Sequence, residues 1–235
     1  MKLNTNSNTY ILAYASLLVI AVAFVLAYFS QALKPIQDKN VALDKKKQII
    51  AALNIRDVND NQVEEYYNKL VEADEIINEK NEVLSAGKPG GENDGFKLNG
   101  GDFKAGKLAL FVCNVYGQKK YVMPVYGMGL WGGISGYIAI NADKETIYGV
   151  YFNHEGETAG LGAEIKDNQK WQQQFCGKHL FADGNQDAVA LSVCKKVDNP
   201  ATQVDGVSGA TLTCDGVTRM IHEGLGKYLV FLKDK

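Results

Sequence analysis

Between Lys2 and Lys34 the chain carries no charged residue, and Tyr10 to Phe29 is almost wholly apolar. A stretch of this kind must be buried in protein or dissolved in lipid. Twenty helical residues rise roughly 30 Å, about the thickness of a bilayer's hydrocarbon core. A cleaved signal peptide has an apolar core of only about 7–15 residues followed by a small-x-small site. No such site follows here. The segment therefore reads as a short tail over residues 1–9 and a single uncleaved membrane helix over 10–33. Tyr10, Tyr28 and Phe29 are placed near its two interfaces. Only Lys2 precedes the helix, whereas Lys34, Lys39 and the run Lys45-Lys46-Lys47 follow it. By the positive-inside rule, that balance favours a cytoplasmic C-terminal part.

The rest of the 235 residues can hold one large domain or two small ones, and 46% hydrophobic residues with 12 Tyr supply a core. The formal charge is -2, and Arg56 and Arg219 are the two arginines. There is no basic stripe, which excludes a nucleic-acid-binding role. Cys113, Cys176, Cys194 and Cys214 stand far apart with no Cys-x-x-Cys pair, so no zinc or iron–sulfur site is expected. Three of the four lie in apolar contexts and read as buried thiols. One disulfide is open to an extracytoplasmic domain, but spacing does not give its pairing.

Residues 34–95 read as a helical stalk or cover followed by a loop. Helix is expected from Pro35 to Ala86, with Val41, Ile49, Ile50 and Leu53 on one stripe. Asn59 or Asp60 would cap a second helix bearing Val63, Tyr66, Tyr67 and Leu70. Ser85 to Gly95 is a loop by composition. Over 96–235 the pattern turns to strands. Leu108–Tyr116 and Lys120–Tyr126 flank Gly117-Gln118 as a hairpin, and Pro124 suggests that the second is an edge strand or ends there. Gly136–Ile140 and Thr146–Phe152 flank a polar turn. Glu164–Phe175 reads as a helix, Ala188–Val193 as a strand, and Val217, Ile221, Leu225, Tyr228 and Leu232 mark a final helix. Adjoining strands argue an α+β fold with an antiparallel sheet flanked by helices.

Three stretches carry candidate chemistry. In Asp205-Gly-Val-Ser-Gly-Ala-Thr211, small residues precede the final helix and let another molecule approach the backbone. Free N–H groups and the dipole at that helix end suit a phosphate. The plainer alternative makes Ser208 an N-cap and Thr211 its N3 residue. Gly127 to Gly133 is too glycine-rich for a strand. It is either a wide turn with Trp131 plugging the core, or a wall of Leu130 and Trp131 against a flat apolar ring. Glu157-Thr-Ala-Gly-Leu-Gly162 is either a tight strand-to-helix turn or a loop holding such a ring. His154 reads as a satisfied structural histidine. No nucleophile–base pair, catalytic set or metal-ligand set is evident.

The first stretch resembles the flavinylation motif, Asp-x-x-Ser/Thr-Gly-Ala-Thr, of bacterial FMN-binding domains. Together with Gly129-Leu-Trp-Gly132 and His154 to Gly162, in that order behind one membrane span, it resembles the NqrC family, the C component of the sodium-translocating NADH:quinone reductase. The resemblance implies FMN held by a phosphoester on Thr211, with Asp205, Ser208, Gly209 and Ala210 around it. It implies ring contacts from Glu157, Thr158, Gly160, Leu161, Gly162, Leu130 and Trp131. Ala159 stands where many relatives have Pro. The implied role is one-electron transfer within a membrane complex of the bacterial inner membrane. Its partners are the other subunits and a separate flavin transferase that uses FAD, and its domain lies on the periplasmic face. That side opposes the charge rule, and the resemblance is followed here. Two other readings stand beside it. One is the G component of the related Rnf ferredoxin:NAD oxidoreductase complex, which the Gly-Leu-Trp-Gly stretch fits less well. The other is a membrane-tethered scaffold without a cofactor.

Overall fold

The computed structural model describes residues 7–89 and 94–234. The chain divides into two compact units, Met1–Asp44 and Lys45–Lys235. A single helix, α1 (Asn8–Ala52), begins in the first and ends in the second, and Pro35 lies inside it without ending it. The apolar side chains from Ile11 to Phe29 are exposed along it. Among the described residues, α1 is the one helix long and apolar enough to cross a membrane.

In the second unit, α1 ends with Ile49, Ile50, Ala52 and Leu53 buried. Helix α2 (Val63–Leu70) buries Val63, Tyr67 and Leu70, as its spacing requires, and leaves Tyr66 outside. Its N-cap is Gln62 rather than Asn59 or Asp60, and no side chain caps it. Asp60 is instead paired with Lys47. The helical reading then fails: β1 (Val71–Ile77) and β2 (Val83–Ser85) are strands. A register shift between Val71 and Ala73 breaks the alternation of β1. Val71, Asp74 and Ile77 are the buried residues, a spacing of three that imitates a helix face; Asp74 and Ile77 pair with Phe111 and Leu108 in unbroken register, so they lie on opposite faces of a sheet covered on both sides. Of the loop expected over Ser85–Gly95, residues 90–93 lie outside the described residues. Short helices α3 (Asp94–Lys97) and α4 (Gly100–Lys104) follow, the latter opened by an Asn99–Asp102 capping box.

The sheet continues with β3 (Leu108–Val115), β4 (Gln118–Met128), β5 (Gly133–Asn141) and β6 (Ile147–His154). Its order is β2-β1-β3-β4-β5-β6, and every neighbouring pair is antiparallel. The β3–β4 turn is Tyr116-Gly117, one residue earlier than expected, with both residues at positive φ. Pro124 sits in an inner strand, but at its own position that strand is paired with β5 alone. The β3–β4 ladder stops at Phe111–Val122, so the missing N–H of Pro124 deprives no partner in β3.

Helices α5 (Glu164–Asp167) and α6 (Gln169–Gln173) replace the single helix expected there. The chain breaks at Asn168, whose side chain caps Trp171 N–H. The expected strand at 188–193 shortens to β7 (Ser192–Cys194), paired in parallel with β8 (Gln203–Asp205). Then come α7 (Thr211–Gly226) and α8 (Leu229–Lys233). Val217, Ile221, Leu225, Tyr228 and Leu232 are all buried on one face of the sheet, against Met123, Val125, Ile138 and Phe152. Tyr228 seals this layer by donating its hydroxyl to Ala109 O at 2.8 Å.

The opposite face meets the end of α1, where a Cβ added at Gly149 would collide with Ala52 O. Just beyond, Asn54 Nδ2 donates to Tyr148 O at 2.6 Å and Arg56 Nη2 to Val150 O at 2.7 Å. Both acceptors lie on the outer edge of β6. Phe152 sits at the centre of the core with Trp171 and Phe175, its ring centroid 5.9 and 5.2 Å from theirs. Phe152→Ala removes that shared contact and leaves a cavity, so an equilibrium urea titration of the full chain should show a loss of about 3–5 kcal/mol. A loss under about 1 kcal/mol would contradict this packing.

Candidate functional site: a cleft at the start of the last long helix

Thr211 is the first residue of α7, and the N-cap is Ala210, which offers no side-chain hydrogen bond. Ser208 lies two residues before the cap and is exposed, so the N-capping role considered for it does not hold. The loop before the helix is fixed from below instead. Gly206 N–H donates to Cys194 O at 2.9 Å, Val207 N–H to Cys214 Sγ at 3.3 Å, and Ala210 N–H to Val207 O at 3.1 Å. Asp205 ends β8 with its side chain exposed. Its backbone is gripped by Trp171 Nε1, which donates to Asp205 O at 2.8 Å, and by Gln174. The Thr211 side chain is exposed at a helix end whose first-turn N–H groups have no side-chain cap.

The other two stretches converge on the same helix end. Gly129-Leu-Trp-Gly132 is the tip of the β4–β5 hairpin, closed by Gly129 N–H on Gly132 O at 2.9 Å. Trp131 is 68% exposed, so it does not plug the core. In the loop after β6, Leu161 and Ala163 N–H groups both donate to Thr158 O. Gly160 takes a positive φ that turns the loop.

Glu157 joins the pieces. It is 7% exposed. Its Oε1 accepts from Trp131 N–H at 2.9 Å and its Oε2 from the Thr213 hydroxyl at 2.5 Å. His154 Nδ1 in turn accepts from Glu157 N–H, the structural role expected of that histidine. Burial alone would raise the pKa of Glu157. Hydrogen bonds from Thr213 and from the N–H groups of Trp131, Leu130 and Gly132 outweigh burial, and the carboxyl ends below its ordinary value. Gly162 is needed because a Cβ there would stand 2.5 Å from Glu157 Oε2 and 2.6 Å from Thr213 Oγ1. Thr213, hidden at the sequence level, is thus part of the site. It is 56 residues from its partner, and its own stretch reads only as the inside of a helix.

Between these parts lies a cavity of about 350 Å³, within the usual range for small-molecule sites, roughly 300–1,000 Å³. Leu130, Trp131, Glu157, Thr158, Leu161 and Gly162 line one side, and Gly209, Ala210 and Thr211 the other, with Leu212 and Thr213. A second cavity of about 330 Å³ lies on the far side of Thr211 and collects Asp205, Ser208 and Gly209 with Cys194, Lys195 and Cys214. Of the residues expected to hold the flavin, all but Gly160 line one of the two, and Gly209 and Thr211 line both.

A flavin mononucleotide fits this arrangement. The first cavity offers large apolar side chains that are 41–68% exposed, namely Leu130, Trp131, Leu161 and Leu212, as faces for a flat ring. Gly209, at φ +76°, leaves open a space that a Cβ would fill 2.8 Å from Leu161. The helix end suits a phosphate.

Because Glu157 titrates below its unfolded value, its contribution is present above the unfolded carboxyl pKa and lost as pH falls through the folded one. Glu157→Gln keeps the shape and removes the charge. The urea midpoint should drop at pH 7 by the equivalent of about 1–3 kcal/mol. The gap to the parent should close as pH falls below about 4, into the carboxylate range. A gap that stays constant with pH would mean that the charge of Glu157 is not what holds the site.

Residues 129–226 match the FMN-binding domain family. Along almost its whole length the chain is similar to the C component of the Na(+)-translocating NADH-quinone reductase of Haemophilus ducreyi, with 31% identity over 99% of this chain and 97% of that protein. The corresponding protein of Pasteurella multocida is 30% identical over 92% of this chain and 91% of its own length. The crystal structure of the Parabacteroides distasonis protein superposes with a TM-score of 0.78 at 36% identity, covering 86% of this chain and 98% of that one. With its apolar N-terminal helix, its antiparallel sheet and its FMN-binding domain, the chain belongs to the NqrC family of Na+-translocating NADH-quinone reductase subunits.

Proposed function

We propose that this chain carries electrons through FMN joined by a phosphoester to Thr211, as a subunit of a membrane Na+-translocating NADH:quinone reductase. The observation that carries the reading is the convergence of three distant stretches on one exposed hydroxyl. Thr211 stands between a mostly apolar cavity of about 350 Å³ and a second one of mixed polar and apolar lining, at a helix end with no side-chain cap. Leu130, Trp131 and Leu161 would cover the ring, with Thr158 at its polar edge. The phosphate would meet the first-turn N–H groups of α7, flanked by Ser208, Gly209 and Ala210. When bound, FMN supplies one-electron exchange, and the protein positions the ring and sets its surroundings.

Attachment needs an exposed acceptor, and Thr211 is exposed. A flavin transferase acting on FAD would break the pyrophosphate bond, join the flavin phosphorus to Thr211 Oγ1 and release AMP. No base within this chain is required. A covalent link also suits a domain outside the cytoplasmic cofactor pool. That periplasmic placement, with α1 as the anchor, is part of the proposal. The lysine balance that opposes it is weakened by the fold. Lys46 is buried, Lys45 donates to Phe96 O and Leu98 O, and Lys47 pairs with Asp60, so three of the five lysines after the span belong to the folded domain. Tyr10 to Phe29 contains no acid or amide to hold a cation, so the proposal leaves sodium movement to the other subunits.

Expressed with a flavin transferase, the parent chain should fluoresce as a flavoprotein band on a denaturing gel. Thr211→Ala should fold with an unchanged far-ultraviolet spectrum and show no band. A flavin still bound to that variant after denaturation and gel filtration would refute attachment at Thr211, and an unmodified parent chain would favour a tethered scaffold. Trp131→Ala should keep the band, because the tether is intact, while flavin emission in the native protein rises as the ring loses its flat neighbour. Unchanged emission would place the ring elsewhere.

A further inference from the structure

The four thiols differ sharply in setting. Cys113 is sealed inside the sheet, and burial pushes its thiol far up. Cys176 is exposed beside Asn54. Cys194 and Cys214 line one cavity together with Thr211. They belong to β7 and α7, and the next turn of the helix fixes how those two elements meet. Thr218, four residues after Cys214 and on the same face, clasps Val193 twice. Val193 N–H donates to its Oγ1 at 2.9 Å, and that hydroxyl returns a bond to Val193 O at 3.3 Å. One residue along β7 is Cys194, and one turn back along α7 is Cys214. Gly206 lies beside the Cys194 carbonyl and the Cys214 sulfur, and Cys194 Sγ rests 3.5 Å from Ser192 Oγ. A Cβ on Gly206 would stand 3.3 Å from Cys194 O and 3.6 Å from Cys214 Sγ.

The same two cysteines hold the loop that leads to Thr211. Cys194 O receives Gly206 N–H and Cys214 Sγ receives Val207 N–H. We propose that Cys194 and Cys214 form a redox-sensitive thiol pair, closed to a disulfide by a small-molecule disulfide oxidant, and that closure disables Thr211 as a flavin acceptor. The second half rests on the attachment proposed above, whereas the first does not. An extracytoplasmic domain would meet such oxidants.

Cys194 is the more accessible of the two and is the entry point. As thiolate it attacks the oxidant's disulfide, forming a mixed disulfide and expelling one thiolate. Cys214 then attacks the Cys194 sulfur and expels the second. The protein loses two protons and two electrons, and the oxidant leaves as two thiols. Burial, with Asp215 and Asp205 nearby, raises the Cys214 thiol against the opposing hydrogen bond from Val207, which suits the slower, resolving role. Once bonded to Cys194, the Cys214 sulfur turns away from Val207 N–H. The loop before Thr211 then loses one of its anchors, and the linked sulfurs occupy the cavity on that side.

The full-length apoprotein, purified in detergent under reducing conditions, is treated with oxidised glutathione and analysed by intact mass and peptide mapping. The expected result is a loss of two hydrogens and a linked peptide joining Cys194 to Cys214. Cys194→Ser should lack that peptide, and Cys113→Ser/Cys176→Ser should keep it. Oxidised parent chain should then accept flavin from FAD and transferase slower by on the order of a hundred-fold, as small misplacements of a reacting group cost. Dithiothreitol should restore the rate, and oxidant-treated Cys194→Ser should be unaffected. A linkage to Cys176, or thiols that all alkylate freely after oxidation, would overturn the pairing. A Cys194–Cys214 disulfide that leaves the flavin rate unchanged would overturn its effect on Thr211. Reduced parent chain that takes no flavin would count against the attachment itself, while the linked peptide would still report on the pair.

Discussion

One buried carboxylate holds the functional end of this molecule together. Glu157 ties the tip of the β4–β5 hairpin to the first turn of α7 through one bond to Trp131 N–H and one to the Thr213 hydroxyl. Taking a carboxylate out of water is costly unless donors surround it, and here several backbone N–H groups and a hydroxyl converge on it. The result fixes the separation between Trp131 and Thr211 without either residue touching the core. Exposed apolar side chains can then stand open, because the backbone beneath them is pinned.

The pinning works only because α7 itself cannot slide. Its last turns are buried against β4 and β5, and Tyr228 is locked to Ala109. Gly216 and Gly224 let the helix approach β4 closely, since a Cβ at either would fall 2.5–2.7 Å from Met128 O or Val125. A rigid helix with an unfurnished start presents its first hydroxyl at a fixed place.

Much of this was legible in the sequence. The apolar span, the antiparallel α+β frame and the stripe from Val217 to Leu232 follow from composition and period. The assembly of Thr211, Trp131 and Leu161 around one cleft was expected only through the family resemblance that the three motifs carry. Periodicity failed where a local device overrode it. Burial on both faces gave the β1 strand the spacing of a helix, Asn168 cut one apolar stripe into two short helices, and Pro124 marked the end of one ladder rather than the edge of the sheet. The partner of Glu157 was invisible because Thr213 lies far along the chain and inside a helix. The pairing of Cys194 with Cys214 depends on a register between β7 and α7 that no spacing rule encodes.

At the outer edge of β6 the fold solves a different problem. An uncovered strand edge offers free carbonyls to any other chain in extended form. Here Asn54 and Arg56, just past the end of α1, occupy the carbonyls of Tyr148 and Val150. The linker that leaves the long helix therefore doubles as a guard rail. A chain in a crowded cell is protected along this border from sticking to its neighbours, strand upon strand.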